Sequence, residues 1–164
     1  MKRILIVDDH EVLREGVKRI FDKQAGAVTF GEASSGAEAL RLAREDDWDI
    51  VVLDLSLGGR NGLEVLKELK QIRPRLPVLI LSMHTEVQFA RRAFKAGASG
   101  YITKDSPRSE LTKAINKVID EGRYISQALA EKLVLILAET PIDRHTRLFQ
   151  RTITTADAGS AIDC

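Results

Sequence analysis

Short runs of branched apolar residues recur along the chain: RILIV at 3–7, AVTFGEA at 27–33, DIVVLDL at 49–55, PVLILS at 77–82 and GYIT at 100–103. They are brief, rich in β-branched residues and bounded by Gly, Pro or Asp, which predicts strands. The segments between them follow the helical period instead. Val12, Leu13, Gly16, Val17 and Ile20 share one face, as do Leu63, Leu66 and Leu69, and likewise Val87, Ala90 and Phe94. The longest stripe, Leu111, Ala114, Ile115, Val118 and Ile119, has Lys113, Asn116, Lys117 and Asp120 opposite it. Ser35 followed by Glu38 predicts a capping box, Asn61 can cap GLEVLKELK, and Ser106-Pro107 begins the last of these helices with proline in its first turn. Strands apolar on both faces must be covered by helices on both sides, so alternation of five strands with five helices predicts an α/β, doubly wound, five-stranded parallel sheet. Leu129, Leu133, Ile136 and Leu137 add one more helical stripe, within residues 122–139.

Composition narrows the picture. With 164 residues, 44% of them hydrophobic and 30% charged, the chain has room for one ordinary domain and an appendage. A net charge of +1 gives no bulk electrostatic reason to expect nucleic acid or a membrane as partner. The single cysteine, Cys164, excludes an intramolecular disulfide and fits a reducing compartment. The apolar runs are too short to cross a bilayer, and MKRILIVDDH becomes charged too soon for a signal peptide, so a cytoplasmic location is expected. Residues 140–164, TPIDRHTRLFQRTITTADAGSAIDC, lose periodicity and are expected to be disordered. Their Arg144, His145, Arg147 and Arg151 are offset by Asp143, Asp157 and Asp163.

In doubly wound sheets the ligand crevice lies outside the carboxyl ends of the strands, where strand order reverses. The first predicted strand runs into Asp8 and Asp9, the third reaches Asp54, the fourth ends in Ser82, and the fifth runs into Lys104 with Tyr101 just before it. Taken singly, each has an ordinary explanation: an acid after a strand often caps a helix, a serine can simply end a strand, and a lysine can be a solvated surface group. Their convergence on one edge is what points to a site. Carboxylates crowded together repel, and a hard divalent cation with oxygen ligands resolves the conflict; Mg²⁺ suits one or two carboxylates with waters and a phosphate. A metal beside a carboxylate, an amine and a hydroxyl is equipped for phosphoryl transfer, with Asp54, between the other acids and Ser82 and Lys104, as the candidate nucleophile.

The motifs VDDH, VVLDLSLGGRNGLEVL, ILSMHTE and GASGYITKD, in this order and spacing, resemble the receiver domain of bacterial two-component response regulators over residues 1–121. The resemblance implies a flavodoxin-like strand order, 2-1-3-4-5. It further implies that Asp9, Asp54 and the backbone carbonyl of Ser56 bind Mg²⁺ directly, with Asp8 acting mainly through a water. Asp54 would then accept a phosphoryl group from the phosphohistidine of a sensor histidine kinase. Lys104 and Ser82 would bind the phosphoryl oxygens, and Tyr101 would swing inward behind Ser82, changing the surface of the fourth helix, fifth strand and fifth helix. Ser56 and His84 would tune the lifetime of the phosphate, and His10 would make polar contacts beside the acids or start a helix rather than ligate the ion.

Two positions depart from the usual receiver pattern. Gly58 stands where proline is common, which is expected to loosen the loop without removing a reactive group. Asp105 follows Lys104 where proline is common, so a trans bond is expected. YITKD, LSMHTE and GRYIS are similar to the subgroup with a helix-turn-helix output of the quorum-sensing-regulator type. A linker helix is expected over 122–139, and no complete DNA-binding domain over 140–164, so the output domain is expected to be missing through truncation, frameshift or choice of the expressed segment. DNA binding is therefore expected only where that domain is present. Receivers often pair through helical faces, so a homodimer is also expected, although the stripe on the fifth helix reads as its core-facing side. A haloacid-dehalogenase-type phosphatase is the main rival; its general acid would stand two residues after the nucleophile, where this chain has Ser56. A stand-alone receiver acting by protein binding only is the other.

Overall fold

The structure is a computed structural model and describes residues 1–22, 27–58, 61–85 and 87–139. Strands and helices alternate as the periodicity requires: β1 Lys2–Val7, α1 Glu11–Ile20, β2 Val28–Ala33, α2 Gly36–Glu45, β3 Ile50–Asp54, α3 Gly62–Ile72, β4 Val78–Ser82, α4 Val87–Lys95, β5 Gly100–Thr103, α5 Arg108–Glu121 and α6 Gln127–Glu139. The strands form one parallel sheet in the order β2-β1-β3-β4-β5, the flavodoxin-like order that the resemblance implies.

Because successive residues of a strand face opposite ways, each buried strand serves two layers. Leu5, Val7, Val51, Leu53, Val78 and Ile80 pack with Ala39 and Leu40 of α2, Leu66 and Leu69 of α3, and Ala90 and Ala93 of α4. Ile4, Ile6, Ile50, Val52, Leu79 and Leu81 pack with Val17 of α1 and with Leu111, Ala114, Ile115 and Val118 of α5. Each large aliphatic side chain removed from water in this way contributes about 1.5–3 kcal/mol.

Local signals set where helices begin and end. Ser35 Oγ accepts the Glu38 N–H at 3.2 Å, and Asn61 Oδ1 accepts the Leu63 N–H at 2.9 Å. Gly122 closes α5 at φ 89°, in the left-handed region, with its N–H on the Val118 carbonyl at 2.9 Å. Two details differ from expectation. Pro107 occupies the cap position of α5 rather than its first turn. Val12 is 82% exposed, although the stripe of α1 includes it. Val12 stands in the first turn of α1, ahead of the buried Val17. The Lys104–Asp105 peptide is trans, as expected, and the described residues contain no cis bond.

The chain divides into two units, Met1–Leu129 and Ala130–Cys164, and α6 runs across the division within the segment expected to carry an extra helix. Residues 140–164, with the disorder and the absent DNA-binding domain expected there, lie outside the described residues, as do the side chains of Ile136 and Leu137.

Candidate functional site

The order of the sheet reverses between β1 and β3, and these two strands deliver the acids. Asp8 and Asp9 follow the last residue of β1, and Asp54 is the last residue of β3. Asp8 is 3% exposed and Asp54 2%. The Asp8 backbone continues the ladder past Val7, its N–H on the Ala33 carbonyl at 3.0 Å, while its carbonyl accepts Arg14 Nη1 at 2.6 Å. Its carboxylate accepts the His10 N–H at 2.8 Å and Lys104 Nζ at 3.1 Å.

Lys104 reaches this pocket from the other side. It follows β5 directly, and its N–H donates to the Ser82 carbonyl at 2.8 Å, extending the pairing of Ser82 with Thr103. Its side chain is 6% exposed, with Nζ 3.1 Å from Asp8 Oδ2 and 3.2 Å from Asp54 Oδ2. Asp54 Oδ1 accepts the Ser56 N–H at 3.0 Å. Asp54 Oδ2 is buried and, among the described residues, accepts no hydrogen bond, with Lys104 Nζ beside it at ion-pair distance. A buried anionic oxygen left in this way is costly unless something else is to meet it.

Asp9 forms the outer wall, its side chain 30% exposed. Its Oδ2 accepts the Gly58 N–H at 3.0 Å, and a Cβ on Gly58 would come within 2.9 Å of that same oxygen. The glycine at this departure therefore has a positive role, because proline would have no N–H to offer Asp9. The loosening expected of this loop falls on residues 59–60, which lie outside the described residues. His10 Nδ1 lies 3.1 Å from Asp8 Oδ1 and 3.0 Å from Asp9 Oδ1, a polar contact that leaves its ring exposed. Ligand atoms of Asp8, Asp9, His10 and Asp54 all fall within 4.8 Å of one another. Carboxylate oxygens this close, one of them without a hydrogen bond, fit a small hard divalent cation.

Ser82 and Tyr101 meet at His84. Ser82 is fully buried and its Oγ accepts the His84 N–H at 3.0 Å, while the Tyr101 hydroxyl donates to the His84 carbonyl at 2.8 Å. Tyr101 is 3% exposed, so its ring already lies inward, and the His84 imidazole stacks on Phe89 at 3.9 Å and 12°. No spacing rule singles out His84 as the residue joining these two, because it does so through its backbone.

No motif in the sequence singles out Arg14 either. Its Nε donates to Glu32 Oε1 at 3.0 Å, and Lys18 Nζ donates to Glu32 Oε2 at 3.0 Å. The Lys18 hydrogen bond holds the Glu32 carboxyl below its usual range, against an opposing effect of partial burial, and Arg14 adds to the lowering. Arg14 could not have been found from side-chain chemistry, since its target at the site is a main-chain carbonyl. Among the described residues no helix is long and apolar enough to cross a membrane.

Residues 4–116 match the family model for the response regulator receiver domain. The chain is 34% identical over 135 residues to the response regulator UvrY of Escherichia coli K12, covering 82% of this chain and 62% of that protein. It is 36% identical over 135 residues to the response regulator GacA of Pseudomonas aeruginosa, covering 82% of this chain and 63% of that protein. The chain thus spans 62–63% of the length of these two curated relatives. Among solved structures it is similar to a two-component response regulator of the LuxR family from Aurantimonas sp. SI85-9A1, at 40% identity and a TM-score of 0.77, covering 84% of this chain and 98% of that one. A CheY-like receiver domain protein from Methanospirillum hungatei matches at 25% identity and a TM-score of 0.68, covering 74% of this chain and 95% of that one.

Proposed function

Because the chain belongs to the response regulator receiver domain family and residues 4–116 are its receiver domain, we propose that Asp54 is the phosphoacceptor. The observation that carries this reading is the carboxylate itself. It ends β3, buried, with one oxygen held by the Ser56 N–H at 3.0 Å and the other free of hydrogen bonds beside the Lys104 ammonium at 3.2 Å. A carboxylate fixed by one oxygen and offering the other is disposed for in-line attack.

In the proposed reaction an Asp54 oxygen attacks the phosphorus of a phosphohistidine on a sensor histidine kinase. The O–P bond forms as the N–P bond breaks, and the imidazole leaves with the electron pair and takes up a proton. Lys104 pairs with the phosphoryl oxygens, and Ser82 turns its hydroxyl from the His84 N–H to one of them. Asp9, Asp54 and the Ser56 backbone carbonyl would hold Mg²⁺ directly, and Asp8 through a water. Bound there, the ion would neutralise phosphoryl charge. Tyr101, anchored on the same His84 backbone as Ser82, passes the change to the surface of α4, β5 and α5 as a shift between two packings.

The domain would accordingly catalyse its own phosphorylation and slow dephosphorylation. Control of transcription, contact with DNA only through an output domain, pairing of two copies through helical faces and a cytoplasmic location belong to the same proposal. The phosphatase reading is disfavoured by Ser56, which has no proton of suitable acidity for a leaving group. Incubation with Mg²⁺ and acetyl phosphate should add one hydroxylamine-labile phosphate to the wild type and none to Asp54→Asn. Equal modification of the two at the same site, or none of either, defeats the reading.

A further inference from the structure

Two acids of the pocket, Asp8 and Asp9, stand on the turn between β1 and α1, and such a turn places a carboxylate only as firmly as its backbone is held. Asp8 is held on both sides of its α-carbon: its N–H meets the Ala33 carbonyl at 3.0 Å, and its carbonyl accepts Arg14 Nη1 at 2.6 Å. The guanidinium is itself fixed. Its Nε donates to Glu32 Oε1 at 3.0 Å, the other Glu32 oxygen is held by Lys18 Nζ at 3.0 Å, and the Arg14 side chain is only 14% exposed. One planar group therefore joins α1, β2 and the turn after β1, and it reaches the main chain of Asp8 rather than the carboxylate.

We infer that Arg14 is a positioning residue for Asp8, setting through the backbone where that carboxylate stands and hence the geometry the pocket offers a divalent cation. The inference rests on the reading of Asp8, Asp9 and Asp54 as a cation site. Mg²⁺ demands near-ideal octahedral geometry, whereas Ca²⁺ accepts longer and more variable ligand distances. A carboxylate shifted by a loosened turn penalises the smaller ion more. If Arg14 served only to tie α1 to β2, its loss would lower stability and leave the preference between the two ions unchanged.

Calorimetric titration of the full chain with Mg²⁺, and separately with Ca²⁺, tests this on wild type, Arg14→Ala, Arg14→Lys, Glu32→Ala and the Arg14→Ala/Glu32→Ala double variant. Arg14→Ala should weaken Mg²⁺ binding about threefold to about tenfold, less than the loss of an outer partner of a direct ligand because Asp8 meets the ion through a water, and Ca²⁺ binding by less. Arg14→Lys should recover part of the loss with its single ammonium. Glu32→Ala should shift Mg²⁺ binding in the same direction by less, and the double variant should be no worse than Arg14→Ala, because Glu32 acts through Arg14. A loss of Mg²⁺ affinity below about twofold in Arg14→Ala overturns the inference, as does an equal loss for both ions. Should Arg14→Ala not fold, Arg14→Lys and Glu32→Ala carry the same comparison of ions. A wild type that binds no Mg²⁺ refutes the cation site and the inference with it. A wild type that binds and an Arg14→Ala that binds alike refute the inference alone.

Discussion

Lys104 sits between two buried carboxylates, and each of the three charges depends on the others. Removing one partner from such a group leaves an uncompensated charge in a poor solvent. At the end of β5 the lysine is also the one ammonium within 3.2 Å of Asp54 among the described residues, where charge on a transferring phosphoryl group would develop. Lys104→Ala should therefore slow labelling by acetyl phosphate by about 10²- to 10³-fold, the usual effect of deleting one transition-state donor, with far-ultraviolet circular dichroism confirming the fold. A rate unchanged from wild type would remove Lys104 from the phosphoryl-binding set. At this scale the strand-end positions are informative: Lys104 Nζ stands 3.1 Å from Asp8 and 3.2 Å from Asp54, and its N–H meets the Ser82 carbonyl at 2.8 Å. No such position marks Arg14 or the amide of Gly58, because they act through or as backbone groups and leave no side-chain signature.

Among the elements, α3 shows how a helix start holds the edge of the site. Asn61 caps it, and Gly62 follows so closely on the preceding strand that a Cβ would stand 2.4 Å from Leu55 Cα and 2.6 Å from its carbonyl oxygen. These are backbone atoms, which cannot swing aside as a flexible side chain can. Gly62→Ala should lower stability by about 1–3 kcal/mol, read from the midpoint of urea unfolding, and should displace Leu55, the neighbour of Asp54. An unchanged midpoint would show that the loop between β3 and α3 yields easily. At the other edge of the sheet, Tyr124 adds a bridge to β5, its N–H on the Ser99 carbonyl at 2.9 Å and its hydroxyl on Glu110 at 3.2 Å. Burial pushes the Tyr124 phenol up, with the Glu110 charge adding to the effect. The helical stripes predicted α3 and α5 well, but not the exposure of Val12, since period alone does not say where along a helix burial begins.

For the molecule as a whole, bringing Asp54 to the Asp8–Asp9 pair creates a repulsion that only the folded state bears, because the unfolded chain keeps Asp54 apart from the pair. A ligand that binds only the folded form stabilises it by mass action, by about 2.7 kcal/mol at a hundred times its dissociation constant. Mg²⁺ should therefore raise the melting temperature saturably, and sodium at matched ionic strength should not reproduce the rise. A melting temperature indifferent to Mg²⁺ would mean that the folded pocket, as built, holds no such ion.

Apolar period and chain order are local properties, and they suffice for the alternation of elements, the class of sheet and the strand ends at which Asp8, Asp9, Asp54, Ser82 and Lys104 lie. The order β2-β1-β3-β4-β5 came from resemblance and from the tertiary structure, since no single segment records which strand it pairs with. Only the fold decided that Asp54 would keep one oxygen without a hydrogen bond, that Ser82 and Tyr101 would share the backbone of His84, and that Arg14 would clamp Asp8. Each of these depends on how separate elements pack, since Tyr101 reaches His84 across 17 residues and Glu32 holds Arg14 across 18, and such contacts exist only once the sheet has assembled.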